Sequence, residues 1–171
     1  MNLSHTTSSD NLVKICIPLK PGGWERLETE SVWAEPTDSG LYRIANTPFF
    51  AYGLSAEDVV TAQPVNGVLT LTGVSQRGGH STYRLLLAEG SSYETPGFLD
   101  HWRSLEDVGC RYESAGKTWL AVDVPPATDI HEVYSMLENG ERDGVWSFDE
   151  GHCGQSGQKT IGRDGWPDDK S

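Results

Sequence analysis

The sequence predicts an α+β fold: a strand-rich N-terminal half, a small barrel-like meander, followed by a ferredoxin-like βαββαβ half. Strict alternation over 12–19 and repeated turn signals up to about residue 75 point to the first half. Two stripes of helical period, set among short β-prone runs between about 80 and 150, point to the second.

Val13, Ile15, Ile17 and Leu19 alternate with Leu12, Lys14, Cys16 and Pro18, which predicts a strand with one buried face, ended by Pro21-Gly22-Gly23. Glu28–Glu35 is the second strand, with Val32 and Ala34 on one side and Trp33 on the other. A turn at Thr37-Asp38-Ser39-Gly40 leads into a third strand over Leu41–Ile44. Pro48, Phe49, Phe50 and Tyr52 follow no period and are expected to plug one end of the barrel. Ser55 and Asp58 have the spacing of a capping box over a single helical turn. Val59–Ala62 and Val68–Val74 are strands around Asn66-Gly67, the sequence of a type I′ hairpin turn. Gly78 and Gly79 are read as a further hairpin, flanked by Arg77 and His80.

Thr82–Ala88 opens the second half as a strand. Thr95 is an N-cap with Pro96 at the first helical position, and Phe98, Trp102 and Leu105 share one face up to Gly109. Cys110–Ser114 and Thr118–Val124 are strands joined at Ala115-Gly116. Asp129 and Glu132 cap a second helix bearing Ile130, Val133, Tyr134 and Leu137, closed by Gly140. Val145–Phe148 is the last strand. The expected organisation is a disordered head over 1–11, a strand-rich unit over 12–78, a ferredoxin-like unit over 79–150 and a mobile tail over 151–171, the two central units being continuous because no linker divides them.

At 171 residues the chain can build a core without a metal or disulfide staple. With 13 basic and 25 acidic residues its net charge is −12, which disfavours nucleic acid and anionic membranes and favours a basic partner. Neither a transmembrane run nor a signal peptide is evident, so the expected location is cytoplasmic. Cys16, Cys110 and Cys153, odd in number and widely spaced, fit reduced thiols in that compartment.

Ser31-Val32-Trp33-Ala34-Glu35 resembles an E-x-L-W-A segment, and Tyr42 to Ala51 resembles Y-x-L-x-N-x-P-F-F-A. With Asp58-Val59-Val60, Gly79 to Arg84 and Leu120 to Pro125, these motifs make the chain similar, over about residues 12 to 150, to domain of unknown function family 4265. The resemblance implies a bacterial cytosolic protein and carries no activity or catalytic residues with it.

No catalytic or cofactor motif is present. Asp149, Glu150, His152 and Cys153 are metal-ligating types, but lack a second cluster at ligand spacing, so no metal is expected. His80 and Ser81 are neighbours on a strand and face opposite ways, so they are not read as a catalytic pair. Two functional readings remain. In the first, a non-enzymatic acidic protein neutralises a basic protein partner, as an immunity protein does a toxin, through Glu28, Glu30, Trp33, Glu35, Glu141, Asp143, Trp146, Asp149 and Glu150. In the second, Asn46, Arg77, His80 and Asp123 line a small-molecule or enzymatic cleft between the two halves.

Overall fold

In a computed structural model, residues 11–21 and 27–155 are described. The elements are β1 (Val13–Pro18), β2 (Thr29–Pro36), β3 (Tyr42–Ile44), β4 (Val59–Val65), β5 (Val68–Gln76), β6 (Ser81–Leu87), α1 (Pro96–Asp107), β7 (Arg111–Ala115), β8 (Trp119–Val124), α2 (Ile130–Arg142) and β9 (Trp146–His152).

The first five strands form a closed barrel in chain order. Successive strands are antiparallel, and β1 closes against β5 in parallel at Cys16 and Thr70. Parallel closure follows from an odd number of strands in an up-and-down meander. The alternation read from the sequence puts Ile15, Ile17, Val32, Ala34, Ile44 and Val60 inside. Asn66 and Gly67 both have positive φ, at 49° and 78°, as a type I′ turn requires.

Phe49, Phe50 and Tyr52 do not plug the barrel as expected. Ala51 and Leu54 fill that end, while Phe50 stacks on Trp119 of the other sheet at 6.1 Å. The loop is turned by Glu30, which shares the inward face of β2 with Val32 and Ala34. Its carboxylate accepts from the backbone N–H groups of Phe49, Phe50 and Ala51 at 2.5, 2.9 and 2.8 Å.

Gly78-Gly79 is not a hairpin either, because β5 and β6 belong to different sheets. It is the crossing between them, and a Cβ on Gly78 would lie 2.5 Å from the Glu57 carbonyl oxygen.

The second sheet runs β7-β8-β6-β9, each neighbouring pair antiparallel, with α1 and α2 packed on one face. Tyr83, Leu85, Leu87, Leu120, Val122, Val124, Trp146 and Phe148 meet Phe98, Trp102, Leu105, Ile130, Val133 and Leu137 there. Thr95 occupies the N-cap of α1, but its hydroxyl turns back to the Ser92 carbonyl, whereas Asp129 caps α2 by accepting from the His131 N–H. Gly140 does not end α2. The helix runs to Arg142, and Gly140 faces Trp146, whose ring would lie 2.2 Å from an added Cβ. The last strand is longer than expected, so Gly151 and His152 belong to β9 rather than to a tail. The rest of the expected head and tail, 1–10 and 156–171, and Gly22 and Gly23 lie outside the described residues. Among the described residues no helix is long and apolar enough to cross a membrane.

Candidate functional site

The face of the second sheet opposite the helices is polar, and it meets the barrel. Period-two alternation on β6 points Tyr83 and Leu85 to the helices and Thr82 and Arg84 the other way. Arg84 is fully buried. Its Nη2 donates to the Ala51 carbonyl, and its guanidinium lies 4.7 Å from the centroid of the Tyr52 ring. Desolvation lowers the Arg84 pKa, opposed by Tyr52, Glu30 and Asp149. Tyr52 donates to Asp149 at 2.6 Å, Ser55 and Thr82 share a hydroxyl bond at 2.7 Å, and Gly53 N–H reaches the Gly151 carbonyl at 2.9 Å. The loop from Asn46 to Asp58 thereby joins barrel to sheet.

Beside this junction lies a cleft of about 530 Å³, lined by Asn46, Thr47, Glu57, His80, Arg111, Glu113 and Asp123 among others. Arg111, Glu113 and Asp123 arrive from strands, whereas Asn46, Thr47, Glu57 and His80 come from the connections between strands. Asp123 of β8 is cross-strand neighbour to Arg111 of β7 and to Thr82 of β6, while Glu113 is two residues along the face from Arg111. His80 ends the crossing segment, and its Nδ1 lies 2.8 Å from Asp123 Oδ1, both side chains about four-fifths shielded at 18% exposure. An Nδ1–H donated to the carboxylate leaves Nε2 as the basic nitrogen. Asn46 Oδ1 accepts from the Trp33 N–H at 2.7 Å, and Glu113 Oε2 accepts from the Thr47 N–H at 2.5 Å. No hydrogen bond or ion pair holds the Arg111 guanidinium among the described residues.

Nucleophilic chemistry has little to work with here. Ser81 is buried and accepts from the Gly154 N–H at 2.9 Å, and burial pushes the Cys110 thiol up to about 12, with Asp123 adding to the rise. The cleft offers hydrogen-bonding and charged groups, among them one largely shielded histidine.

Of the four residues read as a cleft lining, Asn46, His80 and Asp123 line this one. Arg77 does not: its Nη1 donates to the Gly53 carbonyl at 2.6 Å and to buried Asp58 at 3.0 Å, on the far side of the crossing. Asp58 also receives the Ser55 and Gly78 N–H groups at 2.9 Å each, and burial followed by Arg77 lowers the pKa of nearby His152.

The residues read as an acidic docking face are dispersed. Trp146 is not on the surface: it is 3% exposed and its Nε1 donates to the Leu137 carbonyl, because it fills the space above Gly140. Asp149 is buried on Tyr52, Glu150 accepts from the Tyr83 hydroxyl at 2.9 Å, and Glu141 accepts from the Phe148 N–H at 3.3 Å. Glu30 is committed to its loop. Asp143 holds His101 at 2.8 Å beside a hollow of about 310 Å³ between the helices. Glu28 and Trp33 are exposed and Glu35 is half-buried, but Lys14 lies 5.1 Å above the Trp33 ring and Arg43 lies 3.8 Å from Glu35, so this part of the barrel carries both signs. His152 and Cys153 join no group of three or more metal-ligating side chains among the described residues.

Arg111, Glu113 and Thr47 were missed from sequence. Their signal was the second face of the β7–β8 pair, where Arg111, Glu113 and Asp123 alternate with the core positions Cys110, Val122 and Val124.

The sequence model of a family described as "Domain of unknown function (DUF4265)" matches residues 30–148. No curated protein matches. A solved structure titled "Novel crystal structure of a hypothetical protein from Neisseria gonorrhoeae" is similar in fold, with a TM-score of 0.71 at 18% identity, over 84% of this chain and 96% of that one.

Proposed function

The chain belongs to the DUF4265 family, and we propose from that premise that it is a ligand-binding domain whose site is the cleft between barrel and sheet. One observation carries the reading: a cavity of about 530 Å³ in which the His80–Asp123 pair sits beside an uncommitted arginine. That volume falls in the range of small-molecule sites, roughly 300 to 1,000 Å³, and its polar groups come from both halves of the fold. We read the second half as ferredoxin-like, supported by its βαββαβ order and antiparallel sheet. We also place the protein in the cytoplasm, on the free state of its three cysteines.

The test is a titration of the isotope-labelled protein with pooled metabolites, followed through its backbone amide signals. A ligand of the cleft shifts residues 45–47, 80, 111–113 and 123 together, and His80→Ala with Asp123→Asn abolishes its binding. Ligands that shift only residues elsewhere overturn the reading.

A second reading, neutralisation of a basic protein such as a toxin, is favoured by the 46% exposure of Trp33 on a chain of net charge −12. It requires that Trp33→Ala weaken capture of the basic partner at least tenfold, and that raised salt do the same. A complex indifferent to both removes this reading.

A further inference from the structure

The cleft carries charges of both signs, and this restricts what can bind. Arg111 lines it with no partner among the described residues. A guanidinium is a fork of donors that matches a carboxylate bidentately. Asn46 adds a neutral donor from the barrel side of the cleft. Its Oδ1 is taken by the Trp33 N–H, so the amide is oriented with Nδ2, a pure donor, left for a ligand.

The remaining charged groups have the opposite sign. Glu113 spends Oε2 on the Thr47 N–H and Asp123 spends Oδ1 on His80, which leaves one carboxylate oxygen of each as an acceptor. Glu57 lies 3.9 Å from Arg43, and the remaining Glu113 and Asp123 still outnumber Arg111. A phosphate or a dicarboxylate satisfies the arginine but meets an excess of negative charge. A simple amine satisfies the carboxylates and leaves the arginine unpaired. A ligand that answers both carries one carboxylate and more than one cation. Spacing agrees: Arg111 and Glu113 are alternate residues of one strand, roughly 7 Å apart along it, which separates the two charges by several bonds.

We propose that the cleft binds a basic amino acid or a peptide C-terminus of that kind, its carboxylate on Arg111, the cation nearest that carboxylate on Asp123, which faces Arg111 across the β7–β8 pair, and its distal cation on Glu113. This rests on the cleft being the binding site. His80 then serves as a positioning residue, holding Asp123 in register through its Nδ1–H.

Calorimetric titration of the full chain with L-arginine, agmatine and L-glutamate tests it. L-Arginine and agmatine share the guanidinium, and agmatine lacks the carboxylate. L-Arginine is expected to bind at least tenfold more tightly than either. Arg111→Met lowers L-arginine to the level of agmatine, Arg111→Lys restores part of the difference, and Glu113→Gln weakens both cations. Unchanged near-ultraviolet circular dichroism of each variant shows that it is folded. Equal binding of L-arginine and agmatine, or preference for L-glutamate, overturns the proposal. If none of the three binds while other metabolites shift the cleft signals, this inference fails and the cleft reading stands. If no compound of any class shifts them, both fail.

Discussion

The Arg84 guanidinium lies 4.7 Å from the centre of the Tyr52 ring, and Tyr52 in turn donates to Asp149. One residue of the sheet thus holds one residue of the barrel loop, which donates back to the sheet. The guanidinium lies wholly out of water, and its Nε and Nη1 have no hydrogen-bond partner among the described residues. Gly151 makes room for it, since an added Cβ would lie 3.0 Å from Arg84 Cζ.

Replacing Arg84 by Met removes the cation and leaves Glu30 and Asp149 without it. The expected loss is about 3 kcal/mol, the cost of breaking one partner out of a buried charged group. Urea unfolding measures it, and a loss below about 1 kcal/mol would show that the arginine is dispensable to the junction.

Gly140→Ala pushes a methyl group into the Trp146 ring, whose position is fixed by the bond to Leu137. The expected destabilisation is about 3 kcal/mol, at the upper end for overpacking. Gly140→Ala combined with Trp146→Phe should cost less than the sum of the two single changes, because the smaller ring relieves the clash. Additivity in that cycle would mean that the contact does not exist.

His101 and His152 give opposite pH dependence. The hydrogen bond to Asp143, then that to the Gly97 carbonyl, raises the His101 pKa above its ordinary 6.5. Its contribution is therefore fully present below 6.5 and is lost as pH rises through the raised value. Burial lowers the His152 pKa, so its contribution is present above 6.5 and is lost as pH falls. Melting temperatures between about pH 5 and about pH 9 should show His101→Gln losing most on the acid side, and His152→Asn flattening the acid-side decline of the parent.

The thiols should separate by burial. Cys110 is 1% exposed and its pKa is pushed up to about 12, whereas Cys16 and Cys153 are half-buried. A maleimide at neutral pH should label Cys16 and Cys153 in the folded protein and reach Cys110 only after unfolding, read by peptide mass spectrometry. Early labelling of Cys110 would contradict the packing of α1 on the sheet.

The elements most legible in the sequence are those whose signal is local. The period of Val13 to Leu19, the Asn66-Gly67 turn and the stripe Phe98, Trp102, Leu105 each reflect a pattern that needs no distant partner. Gly140 was misread as a helix end because its reason lies on β9, at Trp146. Trp146 was misread as a surface anchor for the same cause. Within the cleft, His80 and Asp123 stood out as polar residues at the edges of apolar runs. Arg111 and Glu113 did not, because an exposed edge strand carries charges whether or not a cavity lies against it. Arg84 carried the clearest unused signal, a single charge inside the run Tyr83 to Leu87 that no solvent-facing strand would require.

The parallel closure of the barrel also sets an order of events during synthesis. β1 leaves the ribosome first, yet the partner of Cys16 on its outer edge is Thr70, more than fifty residues later. Until β5 emerges, β1 has only β2 beside it and its other edge is open to any extended chain. The seam thus cannot form before β5 has emerged, and together with the β4–β5 hairpin it is the last pairing the chain makes available to the barrel.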